Sequence, residues 1–512
     1  MLLMPGADIG QLSPDGRFRW DGTAWMPTAE PYVPAPLPPW ASVKLRGQAS
    51  WLMLAAALLI GLVADQALRT GTFGLAASVA IALIALALLV VGRVSTLSAR
   101  VLAVGGIAFA VWFTLRASPW LLWPDLAASL ILLGFSASFA WRGSLADIGV
   151  AELAARAVHA ALNGLSGSAF VARPLIQART RLATAAPIAR GLLIATPIAL
   201  VLGLLLAAAD PVFASFFQLN VDLGQLTLDA FFVFAGSVVA AGLLRLAAAE
   251  PIGRVDGPKW RLGAIEGLIV LVVLDAIFAA FAVAQGVAAF GAAARTLQAA
   301  GVTYADYARS GFFQLLWVAG ITAVVIILFS RITSLTDPRS RRSFVVLTQI
   351  AIVLTLLIVF VASRRLSLYE EAFGFTMLRL YSHIFAVWIG VVFIFLAADI
   401  AGVHPRRRWF AGATLMSAAV VLLALNAVNP EALVVALNVD HAGTAHKIDA
   451  GYLGQLSSDA IPTLLASQSA LDPGLRNAVV TAACAGSKSY TAPVAAWNLS
   501  EADAAIVRHE RC

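Results

Sequence analysis

The sequence predicts an all-α protein: a polytopic bundle of about eleven transmembrane helices followed by a small helical extracytoplasmic C-terminal domain. Three observations carry that expectation. Hydrophobic residues make up 60% of the chain and charged residues 12%, with a mean hydropathy of +0.87. A soluble domain cannot hide that much apolar surface, so lipid is the solvent for most of the chain. The apolar residues fall in runs of about 20, the length that crosses a bilayer as a helix. The basic residues crowd into alternate loops between those runs.

Residues 1–48 form a polar, proline-rich cytoplasmic tail without the apolar core of a cleavable signal peptide. Within it, Arg17 to Trp20 and Thr23 to Met26 alternate around Asp21-Gly22, a tight-turn dipeptide, which would set Trp20 against Trp25 across a small hairpin. A lone hairpin is marginal in water, so a disordered tail is the alternative. The run 31–40, PYVPAPLPPW, is an extended linker.

The transmembrane domain, 49–428, divides into spans at 49–67, 73–91, 100–116, 119–140, 186–208, 225–247, 263–285, 310–330, 344–363, 378–400 and 409–428. The third is short enough to be tilted or partly re-entrant. Between the fourth and fifth, residues 145–165 read as an amphipathic helix. Glu152, Arg156, His159 and Asn163 make a polar stripe opposite Val150, Ala154, Val158, Ala161 and Leu165, which suits an anchor lying on the cytoplasmic leaflet.

Orientation follows from the loops. With the N-terminus inside, the inner loops hold twenty-one Lys and Arg, from Lys44 and Arg46 to Arg406, Arg407 and Arg408. The opposite loops hold seven: Arg69, Arg116, Arg295, Arg309, Arg364, Arg365 and Arg379. That asymmetry predicts a multi-pass protein of the inner cell membrane, N-terminus cytoplasmic and C-terminus extracytoplasmic. Basic residues scattered over short loops do not make a nucleic-acid footprint, so the bilayer is the predicted partner and nucleic acid is not.

After Asn429 the apolar spans stop, and 429–512 reads as a small helical domain. Helix starts are legible at Asn429-Pro430-Glu431, at Asp472-Pro473 and at Ser500 with Asp503 three residues on. A further helix carries Tyr452, Leu453, Leu456 and Ala460 on one face. The chain has two cysteines, Cys484 and Cys512, both in this segment. Placed on the oxidising side they predict a disulfide.

Three separated motifs carry a resemblance. They are TAAPIARGLLIATPIALVLGLLLAAADPVFASFF, ending around Asp210-Pro211; YEEAFGFTMLRLYSHIFAVW; and residues 429–465, NPEALVVALNVDHAGTAHKIDAGYLGQLSSDAIPTLL. Together they resemble the bacterial polytopic membrane proteins grouped as domain of unknown function 4173 and its relative 4153. The Trp20–Trp25 segment resembles a short Trp-Asp-Gly module of bacterial membrane proteins. The resemblance implies a many-span inner-membrane protein with an outer C-terminal segment, and brings no activity with it. Asp440-His441 stand where the pattern has an acid followed by arginine.

The densest ionisable stretch, Arg364 to Trp388, marks the candidate functional cluster: Arg364, Arg365, Tyr369, Glu370, Glu371, Arg379, Tyr381 and His383, with Asp210 at the same boundary. Thr376, Arg379 and His383 share one helix face. Arg379, at the mouth of a span, is expected to find a carboxylate among Glu370, Glu371 and Asp210. This cluster suits either an anion or head-group pocket or an ion-pair network that fixes loop and span together. Asp65, Asp125, Asp229, Glu266, Asp275 and Asp399 lie in or at the edges of spans, with Asp125 and Asp275 the candidate buried acids. Glu266 and Asp275, nine residues apart, fall on opposite helix faces. His441 and His446 fit a polar loop better than a metal site. Neither catalytic motif nor cofactor or metal pattern is present, and an enzyme is not the expectation. A membrane sensor or scaffold with an envelope protein partner is the first functional reading. A secondary transporter using buried carboxylates and Arg379 is the second, and an enzyme acting on a lipid-linked substrate the third.

Overall fold

A computed structural model describes residues 8–14, 18–27, 44–181, four isolated positions between 195 and 206, 223–255, 260–287, 311–404 and 408–512. Met1–Ser42 and Val43–Cys512 are separate compact units. In the first, β1 (Phe18–Trp20) pairs antiparallel with β2 (Trp25–Pro27), Trp20 opposite Trp25 with ring centroids 5.4 Å apart. The turn forms because Asp21 Oδ1 accepts from the backbone N–H groups of Thr23 and Ala24, each at 2.7 Å, while Gly22 takes a φ of +103°.

The second unit begins with four helices: α1 (Trp51–Thr70), α2 (Leu75–Val90), α3 (Leu97–Leu115) and α4 (Pro119–Ser138). Three shorter helices follow, α5 (Val150–Leu165), α6 (Gly167–Val171) and α7 (Arg173–Arg181). Six long ones come next: α8 (Leu223–Ala248), α9 (Ala264–Val287), α10 (Phe312–Ile332), α11 (Pro338–Phe373), α12 (Met377–Ala401) and α13 (Phe410–Val428). Among the described residues, nine helices are long and apolar enough to cross a membrane, and α2, with 16 residues, is a shorter apolar helix. The chain is a multi-pass membrane protein. The expected span at 186–208, with Asp210, lies outside the described residues.

Local chemistry explains where these helices begin. Ser50, Thr96 and Asp337 accept from the third N–H beyond them, at 3.3, 3.2 and 2.9 Å, and so close the open first turns of α1, α3 and α11. Small residues set the packing of α1 on α8. A Cβ added to Gly61 would fall on the Val233 carbonyl oxygen, and one on Gly236 would strike the Ala64 methyl, so only glycine lets the backbones approach this closely. One apolar core gathers α1–α4 with α8; a second gathers α10, α11 and α12.

The helix at 150–165 has the two faces expected of it, but the polar one is not solvated. Its polar stripe faces the protein: Glu152, Arg156, His159 and Asn163 are all buried, while Val158 and Leu162 stand exposed. Arg156 bonds Glu152 Oε1 at 2.9 Å and the Ser138 carbonyl at 2.9 Å, and lies over the Phe139 ring at 4.5 Å. The helix is inside-out, polar toward its neighbours and apolar toward its surroundings.

The tail after α13 has its own apolar core, built from α14 (Pro430–Ala445), α15 (Ala450–Leu453), α16 (Ile461–Ala466), α17 (Pro473–Cys484) and α18 (Leu499–Arg511). Cys484 and Cys512 are joined by a disulfide, their Cα atoms 5.7 Å apart. Three expectations change. The cap of α18 is Asn498, whose Oδ1 accepts from Glu501 N at 3.2 Å, so Ser500 lies inside the helix. Tyr452 and Leu453 belong to a one-turn helix, Leu456 to the bend after it and Ala460 to a short 3-10 helix, Ser458–Ala460. Asp440 and His441 lie within α14 rather than in a loop, while His446, at φ +51°, is the bend just beyond its end.

Candidate functional site

The tail meets the ends of α4, α12 and α13 through buried polar groups. Asn429 ends α13 in the left-handed conformation, accepts from Ala432 N to start α14, and donates to the Asp459 carbonyl at 3.0 Å. One asparagine thus turns the chain from span to tail and ties the turn to the next segment. Asp459, 3% exposed, accepts through Oδ1 from Ala117 N at 3.1 Å and through Oδ2 from Ser118 N at 3.0 Å. These are open N–H groups just before Pro119, so a carboxylate from the tail closes the start of α4, where the helix dipole favours negative charge.

Glu431, 1% exposed, stands beside it. Its Oε1 accepts from Ser118 Oγ at 2.6 Å, and its Oε2 accepts from Ser457 N and Ser457 Oγ, both at 2.7 Å. Burial raises its carboxyl above the ordinary 4.5, the hydrogen bonds from Ser118 and Ser457 pull it down, and the Asp459 charge pushes it up. Tyr452 OH accepts from Met377 N at 2.7 Å at the start of α12, and burial raises that phenol above its usual range. A cavity of 570 Å³ opens here, lined by Trp120, Thr376, Glu431, Tyr452, Gln455 and Ser457 among others.

The stretch singled out in the sequence surrounds this junction without forming one pocket. The apolar run ends at Ser363, yet α11 continues to Phe373, so Arg364, Arg365, Tyr369, Glu370 and Glu371 ride on its last turns. With 36 residues, α11 is about 54 Å long at about 1.5 Å per residue, well beyond a hydrocarbon core of about 30 Å. Glu370, 4% exposed, meets His383 Nδ1 at 3.2 Å, and His383 Nε2 lies 3.2 Å from the Ser363 carbonyl. Arg365 donates to Gln285 Oε1 at 3.3 Å. Arg364 and Glu371 are exposed.

Of the carboxylates expected to pair with Arg379, Glu370 and Glu371 do not meet it, and Asp210 lies outside the described residues. Among the described residues its guanidinium meets the carbonyls of Phe373 and Gly374, the open C-terminal end of α11, and covers the Tyr369 ring at 4.3 Å. Carbonyls at a helix end carry partial negative charge and satisfy a cation as a carboxylate would. Tyr381 donates to the Trp120 carbonyl at 2.8 Å and reaches the junction itself. Asp125 Oδ1 accepts from Asn426 Nδ2 at 2.8 Å, one helix turn below. Asp275 lies elsewhere, on α9, and neither of its oxygens has a hydrogen-bond partner among the described residues.

Sequence reasoning missed Ser118, Asp459 and the role of Glu431. Glu431 is visible only as an acid in a first helical turn, a common cap. Its place just after a span was the available sign that it would be buried at a membrane boundary.

The family described as Domain of unknown function (DUF4153) matches residues 103–467, from within α3 to the end of α16 in the tail. No curated protein matches the chain. No solved structure matches it either.

Proposed function

The chain belongs to the DUF4153 family, whose description assigns no activity, and we propose from the junction that it is a membrane sensor or scaffold of the bacterial inner membrane. Its N-terminus is cytoplasmic, residues 429–512 form an extracytoplasmic helical domain that holds an envelope protein partner, and the spans anchor and relay that contact. The observation that carries this reading is the pair of bonds from Ala117 and Ser118 to Asp459. A tethered domain would hang from α13 alone. This one supplies the cap of α4 at a distance of 341 residues, so a load on the tail acts on a span.

A photo-crosslinking residue placed at Val494 or Ile506, 77% and 56% exposed, tests the partner. Both positions should yield the same discrete protein adduct in intact cells, and Trp317 on α10 should yield lipid. Hydrogen exchange tests the relay: Asp459→Asn should speed exchange in the first turn of α4. Tail positions that capture only lipid, or an α4 indifferent to Asp459, would refute the reading. A secondary transporter is the second reading, and unbonded Asp275 is the observation that favours it.

A further inference from the structure

The acids in and at the edges of spans differ in what holds them. Asp65 and Asp229 share Arg69, at 2.8 and 2.7 Å, and Asp399 faces Arg331 at 3.8 Å. Asp125 has the Asn426 amide, and Glu266 accepts from Gly263 N at 2.8 Å at the start of α9. Asp275 has none of these. It is 8% exposed, sits at the middle of the 24-residue α9, and leaves both oxygens without a partner among the described residues.

Among the described residues its surroundings supply no compensating charge. Asp275 lies on the buried stripe of α9 with Gly267, Leu271 and Phe278, and α11 is the helix chiefly packed on α9. Along α11 no titratable residue occurs between Arg342 and Arg364. The Arg365–Gln285 bond ties the two helices ten residues beyond Asp275, roughly 15 Å along the axis. On α9 itself the other acid, Glu266, lies near the far end and on the opposite face. A bare carboxylate in hydrocarbon is among the costliest groups a membrane protein can hold. A carboxylic acid avoids that cost by carrying its own counter-charge as a proton.

We propose that Asp275 is a proton-binding site at the middle of α9, where it faces α11, occupied in this conformation. The exchange is the simple one: the carboxyl O–H bond breaks, the electron pair stays on Oδ, and the proton passes to water when the α9–α11 interface opens. The ligand is a proton rather than a hard metal cation, because a lone carboxylate offers two oxygens where such a cation takes about six or more. Among the described residues no group of three His, Cys, Asp or Glu side chains converges to supply the rest.

Dicyclohexylcarbodiimide, a membrane-soluble reagent for neutral carboxyls, tests this on the full chain in liposomes. The acid proton moves to one carbodiimide nitrogen and the carboxylate oxygen bonds the central carbon, giving an O-acylisourea. Its acyl group then shifts from that oxygen to the other nitrogen, the acyl C–O bond breaking as the C–N bond forms, and leaves a stable N-acylurea that peptide mass mapping locates. Labelling at Asp275 should fall at least roughly tenfold between about pH 5 and about pH 9. A water-soluble carbodiimide should leave it unmodified. Asp275→Asn, a neutral match in shape, should fold at wild-type yield and lose the label. No label at any pH, a label that ignores pH, equal labelling by the water-soluble reagent, or an Asp275→Asn chain that fails to fold would each overturn the proposal.

Discussion

Ser118 shows how much rests on one hydroxyl. It donates to Glu431 while its own backbone N–H goes to Asp459. Ser118→Ala keeps the second bond and removes the first, leaving Glu431 Oε1 buried without a donor. That should lower tail stability by about 1–3 kcal/mol, read as faster hydrogen exchange in α14 with α2 unchanged. The same carboxyl predicts a pH limb. Its folded value is raised above 4.5 by burial, so its contribution to stability is full below the unfolded value and is lost as pH rises through the folded one. Glu431→Gln should remove that limb. The difference between wild-type and variant melting curves across pH isolates it from other carboxylates, and parallel curves would contradict the assignment.

At the level of elements, α5 carries the clearest lesson. Its periodicity divides two faces correctly, but a period says nothing about which solvent each face meets. In water the polar stripe turns outward; beside lipid it turns toward the protein, where Ser138 and the Ile252 carbonyl satisfy Arg156. Breaking a buried pair leaves a bare charge, so Arg156→Ala should cost about 3–5 kcal/mol through the abandoned Glu152, and the double change Glu152→Leu with Arg156→Met much less. Folded yield in detergent distinguishes the two. Most described spans were legible within a few residues because length and hydropathy alone fix them. The extension of α11 was not, since Arg364–Phe373 is polar and marks the end of a span without marking the end of a helix; its Arg, Leu, Glu and Ala are good helix formers. The junction was illegible for another reason. Ser118 and Glu431 stand 313 residues apart, and no local spacing predicts such a pair.

For the whole molecule the proposed orientation makes a direct prediction. Alkaline phosphatase fused at residue 440 should be active and a cytoplasmic reporter silent there; the reverse result would invert the bundle and remove the rationale for an envelope partner. The disulfide, with a sequence separation of 28, should add about 3–4 kcal/mol by the chain-entropy model. Cys484→Ser should therefore loosen α18 before any span.

That loosening would not stay in the tail. Asn498 donates to the carbonyls of Phe113 and Arg116 at the end of α3, at 3.1 and 2.7 Å, and the Trp497 carbonyl accepts from Leu75 N at the start of α2. These partners leave the ribosome hundreds of residues before Asn498 is made. In a chain made from its N-terminus, the start of α2 and the end of α3 therefore stay open until Trp497 and Asn498 have followed. A chain truncated before Trp497 leaves the Leu75 N–H and the Phe113 and Arg116 carbonyls without these partners, so its α2 and α3 ends should be cut by added protease faster than those of a chain that extends past Asn498.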